Sequence, residues 1–235
     1  YAKGFTEDEA MAAIQPIVIE AHPLKNPTLD YSVYLSNIVL PGILILLILL
    51  TTTYTIGLEW KQGTQRQWYR IAGGSVTTAL AGKLLPQTVI FSLIIIFYDV
   101  YLYRFLAFPC NSGIAAMMGV GILTVLASQA FGVFLSGIFS GQMRMPMCLS
   151  SLWGILSFSL AGFTFPTSAM SPVLSGLAAL FPLRHYYLLY VNQALNGYPI
   201  AYAWPSVVAL LLFIMLPLTV NSRYRAAFLK YRYKP

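Results

Sequence analysis

The chain has 235 residues, of which 58% are hydrophobic and 9% charged, whereas soluble domains carry about 25% charged residues. So little charge cannot coat a globule in water, which excludes an ordinary soluble domain. The formal net charge of +7 comes from 14 Lys and Arg against seven acids. These basic residues lie between and after apolar runs, the placement seen in membrane proteins, and nucleic-acid binding is excluded on that placement.

The chain opens at Tyr1, and no segment with a basic start, an apolar centre and a small-residue cleavage site precedes the first apolar run. Within residues 1–33, Ile17-Val18-Ile19 reads as the final strand of an external domain, with Pro23, Asn26 and Pro27 as a linker into the membrane. A spanning helix needs about 20 mostly apolar residues. Five stretches are predicted to supply one: 34–57, 84–106, 114–139, 147–165 and 202–220. Each is too long for a buried strand, and lipid does not tolerate an open sheet edge. The expected fold is therefore an all-α integral membrane protein of about five transmembrane helices.

The connecting charges set an orientation. Lys61, Arg66, Arg70, Lys83, Arg144, Arg223, Arg225, Lys230, Arg232 and Lys234 fall on one side of these spans. Lys3, Lys25, Arg104 and Arg184 fall on the other, together with Glu7, Asp8, Glu9, Glu20 and Asp30. The positive-inside rule makes the first side cytoplasmic, including the basic tail 221–235, and leaves residues 1–33 outside. An odd number of spans with an external start predicts a further transmembrane helix upstream, followed by an external domain.

Two connections stand out. Residues 58–83 are polar and charged with interspersed aromatics, on the predicted cytoplasmic side. Residues 166–201 are too polar in places to span and too apolar for an ordinary loop. Pro166, Pro172, Pro182 and Pro199 divide that stretch, because proline removes a backbone donor and clashes with the preceding turn. Short external helices dipping part-way into the outer leaflet are expected, with Tyr186, Tyr187 and Tyr190 at the interface. An amphipathic segment lying on the surface is the alternative.

Enzyme motifs are missing. His22 and His185 form no His-Glu-x-x-His zinc site, and there is no Gly-x-Ser-x-Gly nucleophile elbow. The run Thr77-Thr78-Ala79-Leu80-Ala81-Gly82-Lys83-Leu84 imitates a phosphate loop, but Thr77 stands where the first glycine belongs and Leu84 where Ser or Thr belongs. Cys110 and Cys148 are predicted on opposite faces of the bilayer and cannot bridge each other. Asp99 is the lone acid within a predicted span. It reads either as a substrate- or proton-handling site or, given its outer position beside Tyr98, Tyr101, Tyr103 and Arg104, as a hydrated or paired interfacial carboxylate.

Two groups of short motifs converge on one family. The first is Asn26-Pro27, Val39-Leu40-Pro41-Gly42, Glu59, Gly63-Thr64 and Gly82-Lys83-Leu84-Leu85-Pro86. The second is Ser159-Leu160-Ala161-Gly162-Phe163, Phe165-Pro166, Met170-Ser171-Pro172, Phe181-Pro182-Leu183, Tyr186-Tyr187 and Gly197. With these motifs the chain resembles the permease subunits of ATP-binding-cassette type-2 exporters, in the branch with a large external domain after the first helix. It departs from the family's pattern at Leu58, which precedes Glu59, and near Asn192-Gln193.

The resemblance implies that 58–83 is a coupling segment docking on a separate ATPase, through Glu59, Trp60, Lys61, Gly63, Thr64, Arg66, Trp68 and Arg70. It implies that ATP and magnesium bind that partner, with no cofactor, metal or catalytic residue on this chain. It also implies a second permease copy or paralogue, a bacterial inner-membrane location among lipids, and a place for a periplasmic adaptor. A substrate path between the two copies would draw on Thr52, Thr55, Ser151, Ser157 and Asp99, and the external helices on Pro166, Pro172, Pro182, Tyr186 and Tyr187. The expected activity is outward movement of an amphipathic drug, lipid or glycolipid (multidrug-type export). An ion- or proton-coupled secondary transporter and a non-transporting scaffold subunit are the alternatives.

Overall fold

The computed structural model describes residues 31–230, and among these the chain is all-helical, without strands. The suggested strand at Ile17-Val18-Ile19, the linker around Pro23 and Pro27, and the end of the basic tail lie outside the described residues. Helix α1 is Tyr31–Gln62, and the short α2 is Gln65–Ile71. Helix α3 is Val76–Val100 and runs on as a π-helical turn, Tyr101–Phe105. Next come α4, Ile114–Ile138, and α5, Arg144–Leu160. Residues 166–201 supply α6, Pro172–Ala178, and α7, Pro182–Tyr190, which continues as the π-helical Val191–Asn196. Helices α8, Trp204–Thr219, and α9, Asn221–Lys230, complete the order.

Four of these are long and apolar enough to cross a membrane: α1, α3 with its π turn, α4, and the α8–α9 stretch Ile200–Lys230. Helix α5 falls in the region of the expected fourth span but has 17 residues, about 25 Å of rise against a hydrocarbon core of about 30 Å. It stops at Leu160 because the chain bends at Gly162, whose φ of +97° favours glycine. The guanidinium of Arg184 also lies where a Cβ at Gly162 would go.

Helix α3 begins eight residues before the predicted start at 84, so the connection between the first two spans is mostly helix. Ser75 caps it by accepting the Thr78 N–H at 3.3 Å. Pro86 lies well inside the helix and does not end it. Lys83 reads as a boundary in the sequence, but its charge is neutralised within the fold.

Helix α4 is the central column, packing on α1, α3 and α8, with 67% of its apolar window buried inside the chain. The same fraction for α3 is 11%, so α3 presents most of its surface outward. Helix α1 lies between α4 and α5. Its contact with α5 is close because Gly154 meets Leu46, with a Cβ there falling 2.4 Å from Leu46 Cδ1. Small residues admit such approach where apolar surface alone gives helices no reason to associate in lipid. A core of Leu49, Met117, Ala127, Leu183, Leu189 and Leu210 fills the middle.

Tyr186, Tyr187 and Tyr190, expected at the membrane interface, are turned toward the protein. Tyr186 is fully buried, Tyr190 is buried and Tyr187 is half-buried. Helix α7 packs on α4, α8 and α1, which turns these rings into the bundle. Pro172 and Pro182 start α6 and α7 in the first turn, where a missing N–H is harmless. Pro166 and Pro172 are exposed, whereas Pro182 is buried.

Candidate docking end and buried polar groups

At one end of the bundle the last turn of α1, α2, the first turns of α3, the ends of α4 and α5, and α9 converge. Glu59 lies in the last turn of α1, and its carboxylate accepts from both Lys83 of α3 and the Thr64 hydroxyl in the following turn. The Lys83 ammonium also lies 5.1 Å from the Trp68 ring centre, a cation–π contact. Trp68 Nε1 donates to the Ala79 carbonyl at 3.1 Å, which ties α2 to α3.

Helix α2 is held from its other side by α9. The Phe228 ring meets Trp60 at 5.3 Å, and Trp68 and Tyr69 at 5.0 Å each. Arg66 Nη2 donates to the Leu229 carbonyl at 3.0 Å. Tyr224 anchors α9 to α4 by donating to the Val133 carbonyl at 2.7 Å. A side chain at Gly137 would overlap Val220, so α4 and the α8–α9 junction meet closely.

This arrangement separates the residues expected to dock a partner. Lys61, Gly63, Arg66 and Arg70 are exposed, and Glu59, Thr64 and Trp68 are half-buried. Trp60, expected as a surface anchor, is 1% exposed and packs under Phe228, so it belongs to the interior of this end. Ile71, absent from the expected set, is 79% exposed. It borders a groove of about 410 Å³ shared with Trp68, Ala72, Thr78, Ala79, Gly82 and Lys83. A lone isoleucine closing a polar heptapeptide carries no periodic signal, and only the packing shows that it faces out.

The residues expected along a substrate path fall differently. Thr52 is fully buried and accepts from Gln87 Nε2 at 2.7 Å. Ser157 is buried and donates to the Gly154 carbonyl, while the half-buried Ser151 donates to the Met147 carbonyl. Thr55 is half-buried. Gln87, Thr88 and Gln129, unremarked in the sequence, link α1, α3 and α4 through Gln87–Thr51, Gln87–Thr52 and Thr88–Gln129 bonds of 2.6–2.9 Å. Isolated glutamines within apolar runs were the available signal. Such amides must find partners inside the protein when water is absent.

Asp99 is fully buried, and neither carboxylate oxygen has a hydrogen-bond partner among the described residues. The reading as a paired carboxylate therefore finds no partner among the described residues. The helix of Asp99 continues as the π turn, where Tyr103 donates to Asn37 Oδ1 at 2.9 Å, while Tyr98 donates to the Ser36 carbonyl at 2.6 Å.

Toward the far end, Arg184 donates to the Ala161 carbonyl and the Thr167 hydroxyl, both at 3.2 Å, fixing the bend after α5. Burial holds the His185 imidazole below its ordinary range. Its bond to the Ala179 carbonyl opposes that shift, and the Arg184 charge adds to it. Cys110 and Cys148 are free thiols. No cluster that could ligate a metal occurs among the described residues.

A family model described as ABC-2 family transporter protein matches residues 4–223. Comparison with curated proteins and with solved structures gave no match. The all-helical bundle, its membrane-length apolar helices and a match over nearly the whole chain agree, and the chain belongs to the ABC-2 family of transporter proteins, as a multi-pass membrane permease component of an ABC transporter.

Proposed function

We propose that this permease moves an amphipathic substrate (a drug, lipid or glycolipid) outward across the bacterial inner membrane, driven by a separate ATPase that docks on the α2 end. The observation that carries the docking assignment is the construction of that end. Its aromatic side chains are locked inward by Phe228, while Arg66, Arg70 and Ile71 remain exposed on a short helix clamped between α3 and α9. A segment held from both sides can pass a push from a partner into α1, α3 and α4. Polar residues around one exposed apolar side chain are the ordinary make-up of a docking patch. ATP and magnesium belong to the partner, and a second permease, a copy or a paralogue, completes the path. The α2 end faces the cytoplasm by the positive-inside rule.

The test is retention of an ATPase by the full-length permease purified in lipid nanodiscs, read as ATP hydrolysis in the eluate. The substitutions Arg70→Glu and Ile71→Ala together are expected to lower retention about tenfold, the loss typical of removing a charge and an apolar anchor. Glu59→Arg is the poorer probe, because Glu59 is engaged internally with Lys83 and Thr64. Transport that continues with no ATPase present and stops when the proton gradient is dissipated would overturn the proposal and direct attention to Asp99.

A further inference from the structure

Helix α9 divides sharply by side. Tyr224, Ala227 and Phe228 are fully buried against α2 and α4, while Asn221, Ser222, Arg225 and Lys230 are exposed. Arg225 borders a second cleft, of about 500 Å³, that Tyr69, Gly74, Ser75 and Thr77 line from the α2–α3 side. The outward surfaces of α2 and α9 are therefore continuous.

The charge on that surface has one sign. Among the described residues there are two carboxylates: Glu59, which holds Lys83, and Asp99, buried among the spans. Lys61, Arg66, Arg70, Arg225 and Lys230 are all exposed, with no carboxylate among the described residues left to balance them. A cationic excess is what the positive-inside rule gives a cytoplasmic face, and here it forms one surface across α2 and α9 that nothing among the described residues neutralises. A helix that inserts into the bilayer interface keeps an apolar face free to enter it. Most of the apolar face of α9 is covered, Phe228 by Trp60, Trp68 and Tyr69 and Tyr224 by its bond to Val133, and Leu229 alone of its large apolar side chains is exposed.

We infer that α9 is part of the docking platform: Phe228 positions α2, and Arg225 and Lys230 extend its cationic face toward an acidic surface on the partner ATPase. This rests on the docking role proposed above for α2. Its test uses the same full-length permease and ATPase in nanodiscs, with Arg225→Glu and Lys230→Glu combined. Both side chains are exposed and outside the core, so the fold is retained and the melting temperature should not move. Retention is expected to fall about tenfold and to lose the salt sensitivity of the wild-type complex, as charge-steered contacts do. Phe228→Leu, which keeps apolar bulk but removes the ring, should lower retention while leaving that salt sensitivity in place.

Full retention by the Arg225→Glu, Lys230→Glu variant, alongside loss in the Arg70→Glu, Ile71→Ala variant, would overturn the inference and leave the docking role of α2 standing. A wild-type protein that retains no ATPase would overturn that docking role and the inference with it. A loss that disappears in nanodiscs of purely zwitterionic lipid would overturn the inference by assigning the charges to anionic headgroups.

Discussion

Glu59 shows how a residue picked out in a sequence changes meaning once its neighbours are known. Its carboxylate holds Lys83 and Thr64, and with side-chain exposures of 16% for Glu59 and 22% for Lys83 the pair is largely shielded from water. Removing one partner leaves the other charge poorly solvated. Lys83→Met is expected to destabilise the fold by about 1–3 kcal/mol, moderated by the residual exposure. Adding Glu59→Gln should recover much of that loss, since removing both charges leaves nothing unpaired. Thermal unfolding of the single and double variants in detergent measures both effects. Trp60 makes the same point for an apolar side chain. As a Trp beside two charges it reads as an exposed anchor, but it faces Phe228, which lies 168 positions further along the chain.

At the scale of elements, helix existence followed from apolar runs, whereas helix ends depended on local chemistry. Helix α3 starts just after Ser75, whose hydroxyl caps it, and α5 ends at Leu160, two residues before Gly162 takes a positive φ. Neither feature disturbs an apolar window, so hydropathy alone placed the first boundary too late and the second too far along. The α1–α5 contact depends on an absent side chain, since Leu46 occupies the space where a Cβ at Gly154 would lie. Gly154→Leu is expected to part the two helices and cost about 1–3 kcal/mol from overpacking. Gly119→Leu, at a glycine with open space, should be nearly neutral by the same unfolding measurement. The tyrosines of α7 were assigned to the membrane interface on residue type. Contact with α1, α4 and α8 buries Tyr186 and Tyr190 and half-buries Tyr187, because a helix too short to span can still be covered by its neighbours.

For the molecule as a whole, Lys61, Arg66, Arg70, Lys83, Arg144, Arg223, Arg225 and Lys230 belong to elements that meet at one end, while Arg104 and Arg184 lie toward the other. One compartment should therefore reach all of the first group. Single cysteines at positions 70 and 225, in a background with Cys110 and Cys148 replaced, are expected to resist an impermeant thiol reagent applied outside and to react after permeabilisation. A cysteine at 198 should react from outside. Labelling of 70 and 225 on opposite faces would remove the shared docking end altogether. The sequence by itself determined the solvent, the helical class, the family and the grouping of charge, since each depends on composition, run length or residue order. Tertiary structure alone decided which aromatic rings face inward, that Asp99 has no hydrogen-bond partner among the described residues, and that α9 clamps α2. Those outcomes depend on contacts between residues tens to hundreds of positions apart, which no local pattern encodes.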